Sequence, residues 1–361
     1  MSLTIASLPH FLLARGLLSS RSVVAGDFAV LDASRRNRNF KVICGAEPGL
    51  FVKQMRDMQP DAMLTLRREA ACYDLARSDP TLARLMPKLV AYDADRHLLI
   101  VELVADAESL AEHHAREKTI APEIGRMLGE GLGLYHSGAA GLLANEAVLP
   151  LFARQVPVIL SFGQGGHVAL GQVGRGGPLL SSVVQQHPEF QALLDQLGSE
   201  WRFDSLIHGD IKWDNVLVFR SPAGGLDFRI VDWEMADLGD AAWDAGAVLQ
   251  SFLAMWILSM PIASGLPPER YIGMATQPLE AMRPALHAFW EAYATTRNFT
   301  EDERRRELER CMRFGAARLV WAALEQRLYA TQLDPGAAAL LQVSLNILQD
   351  PAKAVTELLG V

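Results

Sequence analysis

Apolar residues follow two different spacings along the chain, and the change of spacing divides the sequence. Short apolar runs typical of strands occur at 23–31, 40–44, 50–53 and 98–103. A helix is predicted over 62–77, where apolar residues recur at intervals of three and four. Beyond about residue 105 the helical spacing prevails, and it predicts helices over 121–136, 279–297, 302–332 and 335–349.

These elements predict an α+β protein with two lobes. A small β-rich N-lobe of residues 1–104 precedes a larger, mainly helical C-lobe of residues 105–361. Between 136 and 206 the pattern is irregular, and glycines cluster from 163 to 177 without the Lys-Ser/Thr ending of a phosphate loop. We expect a flexible surface insertion there, with a substrate-facing loop as the alternative.

Composition and charge narrow the class of protein. Half of the 361 residues are hydrophobic and 21% are charged, with a formal net charge of −8. An acidic chain argues against nucleic-acid binding, because such proteins present a basic surface. The apolar stretch from Ala245 ends its helical run near Pro261, too short to cross a bilayer. Three widely spaced cysteines and no predicted signal peptide favour a cytoplasmic protein without membrane attachment.

One segment brings polar side chains together in a way that suggests chemistry. In His208–Val218, Asp210 and Asn215 lie five residues apart, and a strand begins directly after Asn215. A turn and a second strand follow, and that strand leads straight into Asp232. In an antiparallel hairpin the start of the first strand lies beside the end of the second, so Asn215 and Asp232 should converge.

Two carboxylates and an amide oxygen in one small volume form a site of hard oxygen ligands, which Mg²⁺ accepts. Two of these groups can hold metal while the third orients a hydroxyl and accepts its proton, as phosphoryl transfer requires. A polar turn that caps the hairpin is the alternative for each residue taken singly.

Three motifs resemble one family. His208-Gly209-Asp210 with Asn215, Ile230–Glu234, and Gly239–Asp244 are similar to the catalytic loop and metal-binding segments of the aminoglycoside phosphotransferase and choline kinase superfamily, relatives of the protein kinases. In the last motif Ala241 replaces the usual proline. The resemblance covers roughly residues 30 to 250 and implies a two-lobed protein-kinase-like fold that uses ATP and Mg²⁺.

The resemblance implies a role for each matching residue of the C-lobe. Asp210 would be the catalytic base, and Asn215 and Asp232 would hold Mg²⁺. Lys212 occupies a position where many small-molecule kinases of the family have His or Gln. A lysine there would add positive charge beside the γ-phosphate, as in Ser/Thr protein kinases.

The resemblance also implies which residues of the N-lobe bind the nucleotide. Lys53 matches the strand lysine that holds the α- and β-phosphates, and Glu69 matches its ion-pair partner. Main-chain groups near Glu102 and Val104 would pair with adenine at the hinge. The nucleotide-covering loop falls at Ser34–Phe40, where no glycine is present.

That loop contains two asparagines that could match the family's loop asparagine, and three arginines that could contact phosphate. Asn37 is the better match to the family's loop asparagine, and Asn39 is the competitor. The arginines there either contact phosphate or form a solvated turn.

The phosphate acceptor stays open. One alternative is a hydroxyl of a small molecule such as an aminoglycoside, another sugar or an amino alcohol. A second is peptide Ser/Thr, because Lys212 and the segment after Asp244 look similar to kinases of lanthipeptide-type precursor peptides. A third is a pseudokinase that binds nucleotide without transfer, which the intact set of Lys53, Asp210, Asn215 and Asp232 argues against. The oligomeric state is open, with a homodimer among the alternatives.

Overall fold

The chain folds as two compact units. The computed structural model describes residues 2–34, 37–45, 47–56, 59–138, 149–262, 268–325 and 334–360. The first unit comprises Met1–His113, Glu146–Phe152 and Asp214–Ala236, and the second comprises His114–Asn145, Ala153–Trp213 and Asp237–Val361. The first unit therefore gathers three separate stretches of sequence. The division at residue 104 stays a prediction.

The described residues form ten strands in three sheets. The strands are β1 Phe28–Asp32, β2 Arg38–Cys44, β3 Leu50–Gln54, β4 Leu89–Asp93, β5 Leu98–Glu102, β6 Glu108–Ser109, β7 Ser205–Ile207, β8 Val216–Arg220, β9 Leu226–Ile230 and β10 Asp237–Gly239. The first unit contains a five-stranded sheet of order β1-β2-β3-β5-β4 and a three-stranded sheet of order β6-β8-β9. In the second unit β7 pairs with β10.

The five-stranded sheet is antiparallel throughout and buries one of its faces. Phe40, Val52 and Ile100 form a hydrophobic cluster with Leu8 and Leu12 of the first helix. Because side chains alternate between the faces of a strand, the residues next to these in sequence point to the opposite face. That opposite face carries the polar chemistry described below.

Helices make up most of the second unit. Among the described residues of both units, the α-helices are Leu8–Ala14, Ser20–Ala25, Pro60–Ala76, Pro80–Leu85, Leu110–Glu117, Pro122–Gly138, Gly166–Gly171, Gly177–Gln186, Pro188–Ser199, Ala241–Leu258, Pro268–Ile272, Leu279–Thr296, Glu301–Glu325, Pro335–Gln349 and Pro351–Ala354. The small β-rich and large helical regions confirm the predicted α+β class and its two lobes.

Two sequence predictions are wrong in detail. The strand predicted from residue 23 starts only at Phe28, because a helix capped by the Ser19 side chain spans Ser20–Ala25 and ends at Gly26 with φ 67°. The segment from 136 to 206 is not irregular throughout, since it includes the helices Gly177–Gln186 and Pro188–Ser199.

The glycines of this segment explain the second error. A Cβ at Gly166, Gly177 or Gly198 would lie 2.4, 2.2 or 1.9 Å from a backbone carbonyl oxygen. These glycines allow backbones to approach closely within packed structure, whereas glycine clusters in sequence usually indicate loops.

One helix among the described residues has the length and apolar composition of a membrane span. Its 18 residues, Ala241–Leu258, have a mean hydropathy of 1.3, and 83% of them are buried inside the protein. The protein itself covers this apolar surface, as the sequence predicted for a core helix.

Candidate active site

A buried ammonium group lies among three carboxylates in the first unit. Lys53 Nζ is 2.7 Å from Glu69 Oε2, 2.7 Å from Asp232 Oδ1 and 3.0 Å from Glu234 Oε2. The side chains of Lys53 and Glu69 are only 7% and 4% exposed, whereas that of Asp232 is 40% exposed. The cluster therefore has a buried end at Glu69 and an accessible end at Asp232.

The β8–β9 hairpin brings the acidic residues to this point. Val216 pairs with Ile230, and the N–H of Val231 donates to the carbonyl of Asn215 at 2.9 Å. Asn215 and the residues before Asp232 thus converge at one end of the ladder, as the sequence predicted. Asp232 then adopts φ 67°, a left-handed conformation that is uncommon outside glycine.

The charges of the cluster determine its protonation. Burial disfavours the charged lysine, but Glu69, Asp232 and Glu234 outweigh it and raise the pKa of Lys53 well above its ordinary value. Burial raises the pKa of Glu69 to about 7, against the opposing charge of Lys53. Burial thus favours the neutral form of Glu69, the least exposed acid of the cluster.

The donor set fits a divalent cation. One carboxylate oxygen from each of Glu69, Asp232 and Glu234 lies within 4.8 Å of the others. Asn215, which is 5% exposed, is at the same end of the hairpin. Carboxylate and amide oxygens are the ligands that Mg²⁺ takes, usually one or two carboxylates together with waters and phosphate oxygens.

The predicted hinge borders a cavity of the first unit. The cavity measures about 920 Å³, and its walls include Leu31, Ile43, Glu102, Val104 and Phe219. The N–H of Glu102 donates to the carbonyl of Lys88, and that of Leu103 to Gly49. The sheet thus already uses these two donors, and the adenine contact proposed for this segment falls to its other main-chain groups.

The structure distinguishes the two asparagines of the predicted nucleotide-covering loop, since Asn39 lies within β2. Asn39 pairs with Lys53 across β2 and β3, so both side chains lie on the same face of the sheet. Its Oδ1 is buried and accepts no hydrogen bond within the described residues. Asn37 is 6% exposed and precedes the strand. Arg35 and Arg36 lie outside the described residues.

The loop that carries Asp210 is held by a buried carboxylate of the second unit. The N–H groups of His208 and Gly209 donate to Asp244 Oδ2 at 2.6 Å and to Oδ1 at 3.0 Å. Burial opposes the charge of Asp244, but His136 and the His208 N–H hold its pKa below the ordinary value. The first two residues of the loop are therefore fixed by a charged hydrogen-bond acceptor.

Two cations approach the carboxylate of Asp210. Lys212 Nζ is 2.6 Å from Oδ2, and Arg318 Nη2 is 3.8 Å from Oδ1. The side chains of Lys212, Asp210 and Arg318 are 36%, 20% and 6% exposed. Asp210 thus has one oxygen toward the protein interior and the other toward a more accessible lysine.

The model of the phosphotransferase enzyme family matches residues 27–267, two thirds of the chain, a range that includes the Lys53 cluster and the loop of Asp210 but not Arg318. The chain belongs to this family. The predicted resemblance to aminoglycoside phosphotransferases and choline kinases is thereby confirmed, and the protein is an enzyme that transfers phosphate. None of the curated proteins matches the chain by sequence.

Solved structures share the fold of this phosphotransferase at low sequence identity. The macrolide 2'-phosphotransferase MphH from Brachybacterium faecium is 17% identical with a TM-score of 0.51, and the match covers 96% of this chain and 98% of that one. A GDP complex of a mutant aminoglycoside 2'-phosphotransferase IIIa is 12% identical with a TM-score of 0.53, over 98% and 99% of the two chains. These likenesses confirm the kinase-like fold.

Sequence reasoning missed several residues of the candidate site. Glu234 contacts Lys53, and its position two residues after Asp232 was the available signal. Asp244 was recognised only as part of a motif, without its hydrogen bonds to the loop. Arg318 lies 108 residues beyond Asp210 in the sequence, and no local pattern connects the two.

Proposed function

We propose that this phosphotransferase moves the γ-phosphate of ATP to a hydroxyl group of a small molecule, with Mg²⁺. The observation that carries the proposal is the Lys53 ammonium, which meets Glu69, Asp232 and Glu234 at the end of the β8–β9 hairpin. Such a cluster can bind a metal–nucleotide complex, because the lysine can bind phosphate oxygens and the acids can bind the metal ion.

The nucleotide would lie along β3. Lys53 and the hinge residue Glu102 are three register positions apart, since β5 pairs Glu102 with Leu50. At about 3.4 Å per residue this is roughly 10 Å, a separation that suits a purine at the hinge and phosphates at Lys53. Apolar Leu31 and Ile43 on the cavity wall would cover the base. Asn39, on β2 and on the face of Lys53, would take the role predicted for the loop asparagine.

Asn215 and Asp232 would hold the metal ion, with Glu234 as a further candidate. When bound, Mg²⁺ neutralises charge on the phosphates. The fit rests on the chemistry of the donors and on the exposed side of Asp232. Lys53 keeps the carboxylates from repelling one another before the cation arrives.

Asp210 would orient the acceptor hydroxyl and take its proton, and Lys212 would move to the γ-phosphate. Asp244 accepts from the N–H groups of His208 and Gly209, so the loop is already in place before the acceptor binds and little reorganisation precedes transfer. Catalysis then comes mainly from placement and from neutralised charge.

The solved structures of similar fold favour a small-molecule acceptor. They carry the names of macrolide and aminoglycoside phosphotransferases. The net charge of −8 suits a cationic acceptor. Peptide Ser/Thr stays a prediction from the sequence, as do the cytoplasmic location and the homodimer.

The test is a mass-spectrometric transfer assay with Mg-ATP. The purified protein is offered aminoglycosides, macrolides, amino alcohols and Ser/Thr-containing peptides. We expect a phosphate gain on a small molecule, lost by about 10²- to 10⁴-fold in Asp210→Asn. Asp214→Asn is the matched control, because that carboxylate is an exposed neighbour in the same loop.

Other outcomes have distinct meanings. A gain on peptide hydroxyls alone would replace the small-molecule acceptor by a peptide. Nucleotide binding without transfer to any member of the panel would favour the pseudokinase. Full activity in Asp210→Asn would refute the role of Asp210.

A further inference from the structure

One arginine from a distant helix binds the backbone on both sides of Asp210. Arg318 belongs to the helix Glu301–Glu325 and is 5% exposed. Its Nη1 donates to the carbonyl of Gly209 at 3.1 Å, and its Nη2 donates to that of Ile211 at 3.2 Å. The planar fork of a guanidinium can reach two carbonyl oxygens at once, which a lysine ammonium on a flexible stem cannot reproduce.

Arg318 is itself held in place by an aromatic side chain. Its guanidinium carbon lies 4.9 Å from the centroid of the Trp243 ring, a cation–π contact. Trp243 Nε1 also donates to the carbonyl of Gly209 at 3.1 Å. Because Asp244 binds the N–H groups of His208 and Gly209, the loop is held at its amide side by an acid and at its carbonyl side by Arg318.

The same arginine distinguishes the two oxygens of Asp210. Nη2 is 3.8 Å from Oδ1, and the side chain of Arg318 is only 6% exposed, so the Oδ1 side of Asp210 faces a buried cation. Oδ2 is bound by Lys212, whose side chain is 36% exposed. The Oδ2 side is therefore next to the more accessible cation, whose flexible side chain can shift and leave room for a hydroxyl.

We propose that Arg318 is a positioning residue that fixes Asp210 with Oδ2 toward the acceptor, so that Oδ2 is the oxygen that takes the proton. This inference rests on the proposed function. The acceptor hydroxyl gives its proton to Oδ2, and its oxygen forms a bond to the γ-phosphorus. The bond from that phosphorus to the β–γ bridging oxygen breaks, and the electron pair leaves with the nucleoside diphosphate.

The test compares two replacements of Arg318 with a control on the same helix. Arg318→Lys keeps the charge but loses the fork, and Arg318→Met loses both. Arg313→Lys is the control, because Arg313 forms its ion pair with Glu200 and not with the loop. For each full-length variant we would measure kcat, the KM for Mg-ATP, the melting temperature, and hydrogen–deuterium exchange of residues 206–213.

We expect Arg318→Lys to lower kcat by about 10- to 100-fold while the KM for Mg-ATP changes less than about twofold, since Arg318 acts on the base and not on the nucleotide. Exchange at Gly209–Ile211 should rise in both Arg318 variants and not in Arg313→Lys. A simple loss of stability would lower the melting temperature without this split between kcat and KM.

Two results would overturn the inference: wild-type kcat in Arg318→Lys, or exchange at Gly209–Ile211 that stays as in the wild type. Failure of the proposed function gives a different result. In that case the wild type itself transfers no phosphate, while the exchange measurement still decides whether Arg318 holds the loop.

Discussion

At the scale of single residues, Lys53 is the common ion-pair partner of the three carboxylates in the first unit. Three carboxylates surround its ammonium, and its side chain is 7% exposed. Removing one member of a buried ion pair leaves the other charge without compensation, which costs more than the pair contributes. Removing the lysine should therefore cost more stability than removing any one of its acids.

Replacement of Lys53 by Met is expected to destabilise the fold by about 3 kcal/mol, because three acids lose their common cation. Glu69→Gln should cost clearly less, since Lys53 keeps Asp232 and Glu234. Urea denaturation of both variants at pH 7.5 measures the difference. Equal costs would show that the Lys53–Glu69 contact alone supplies the stability.

Acid sensitivity is predicted at His136. Its Nδ1 lies 3.0 Å from the Tyr293 hydroxyl oxygen, and burial lowers its pKa despite the nearby charge of Asp244. Below the unfolded pKa of about 6.5 the unfolded chain binds a proton that the folded chain refuses, so stability falls as the pH drops through this range.

His136→Gln removes this proton linkage. We expect the stability difference between wild type and variant to be smaller at pH 5.5 than at pH 7.5, as measured by chemical denaturation at both pH values. The exposed His187→Gln is a control of small cost at either pH. A difference that grows on acidification would contradict the lowered pKa.

At the scale of elements, one close helix–helix contact in the second unit depends on glycine. Helix Pro122–Gly138 places Gly125, Gly129 and Gly133 against helix Leu279–Thr296. A Cβ at Gly125 or Gly129 would lie 2.0 or 2.2 Å from a backbone carbonyl oxygen of the facing helix. Only glycine allows these two backbones to approach so closely.

Gly129→Ala is expected to destabilise the protein by about 2 kcal/mol, because the helices must separate and overpacking outweighs the better helix propensity of alanine. Gly171→Ala is the matched control, since its Cβ would meet nothing within 4 Å. Thermal denaturation of both variants distinguishes packing from propensity. Equal stability of the two would mean that the helices adjust at no cost.

At the scale of the whole molecule, the chemistry is distributed over both units. The Lys53 cluster, Asn215 and the hinge belong to the first unit, whereas Asp210, Lys212 and Arg318 belong to the second. The chain passes from the second unit to the first between Trp213 and Asp214, within the loop that links Asp210 to Asn215. The residues proposed to bind the nucleotide thus lie in the first unit, and those proposed to act on the acceptor lie in the second.

Mg-ATP is expected to slow hydrogen–deuterium exchange mainly in the first unit. The strongest protection should fall on β3, the hinge at Glu102–Val104 and residues 226–236, because these segments carry the proposed phosphate, base and metal contacts. Exchange with and without Mg-ATP, and with ATP in the presence of a chelator, measures this. Protection confined to the second unit would contradict the assigned nucleotide site.

The sequence by itself determined most local elements of this protein and which of them carry the candidate site residues. The hairpin after Asn215, the strand that ends near Lys53 and the helix that carries Glu69 follow from apolar spacing, which reports which face of an element is buried. Convergence of Asn215 and Asp232 followed from antiparallel pairing alone, because the two strands are neighbours in sequence.

Only the tertiary structure revealed contacts between residues that no local pattern connects. Arg318 reaches the Asp210 loop from a helix more than a hundred residues away, and Asp244 holds the same loop from another helix. The glycines of Pro122–Gly138 and of the segment around Gly177 resemble breakers in sequence, yet they lie where backbones meet. Packing decided these positions, since the cost of a Cβ or of a buried charge depends on the neighbour that folding supplies.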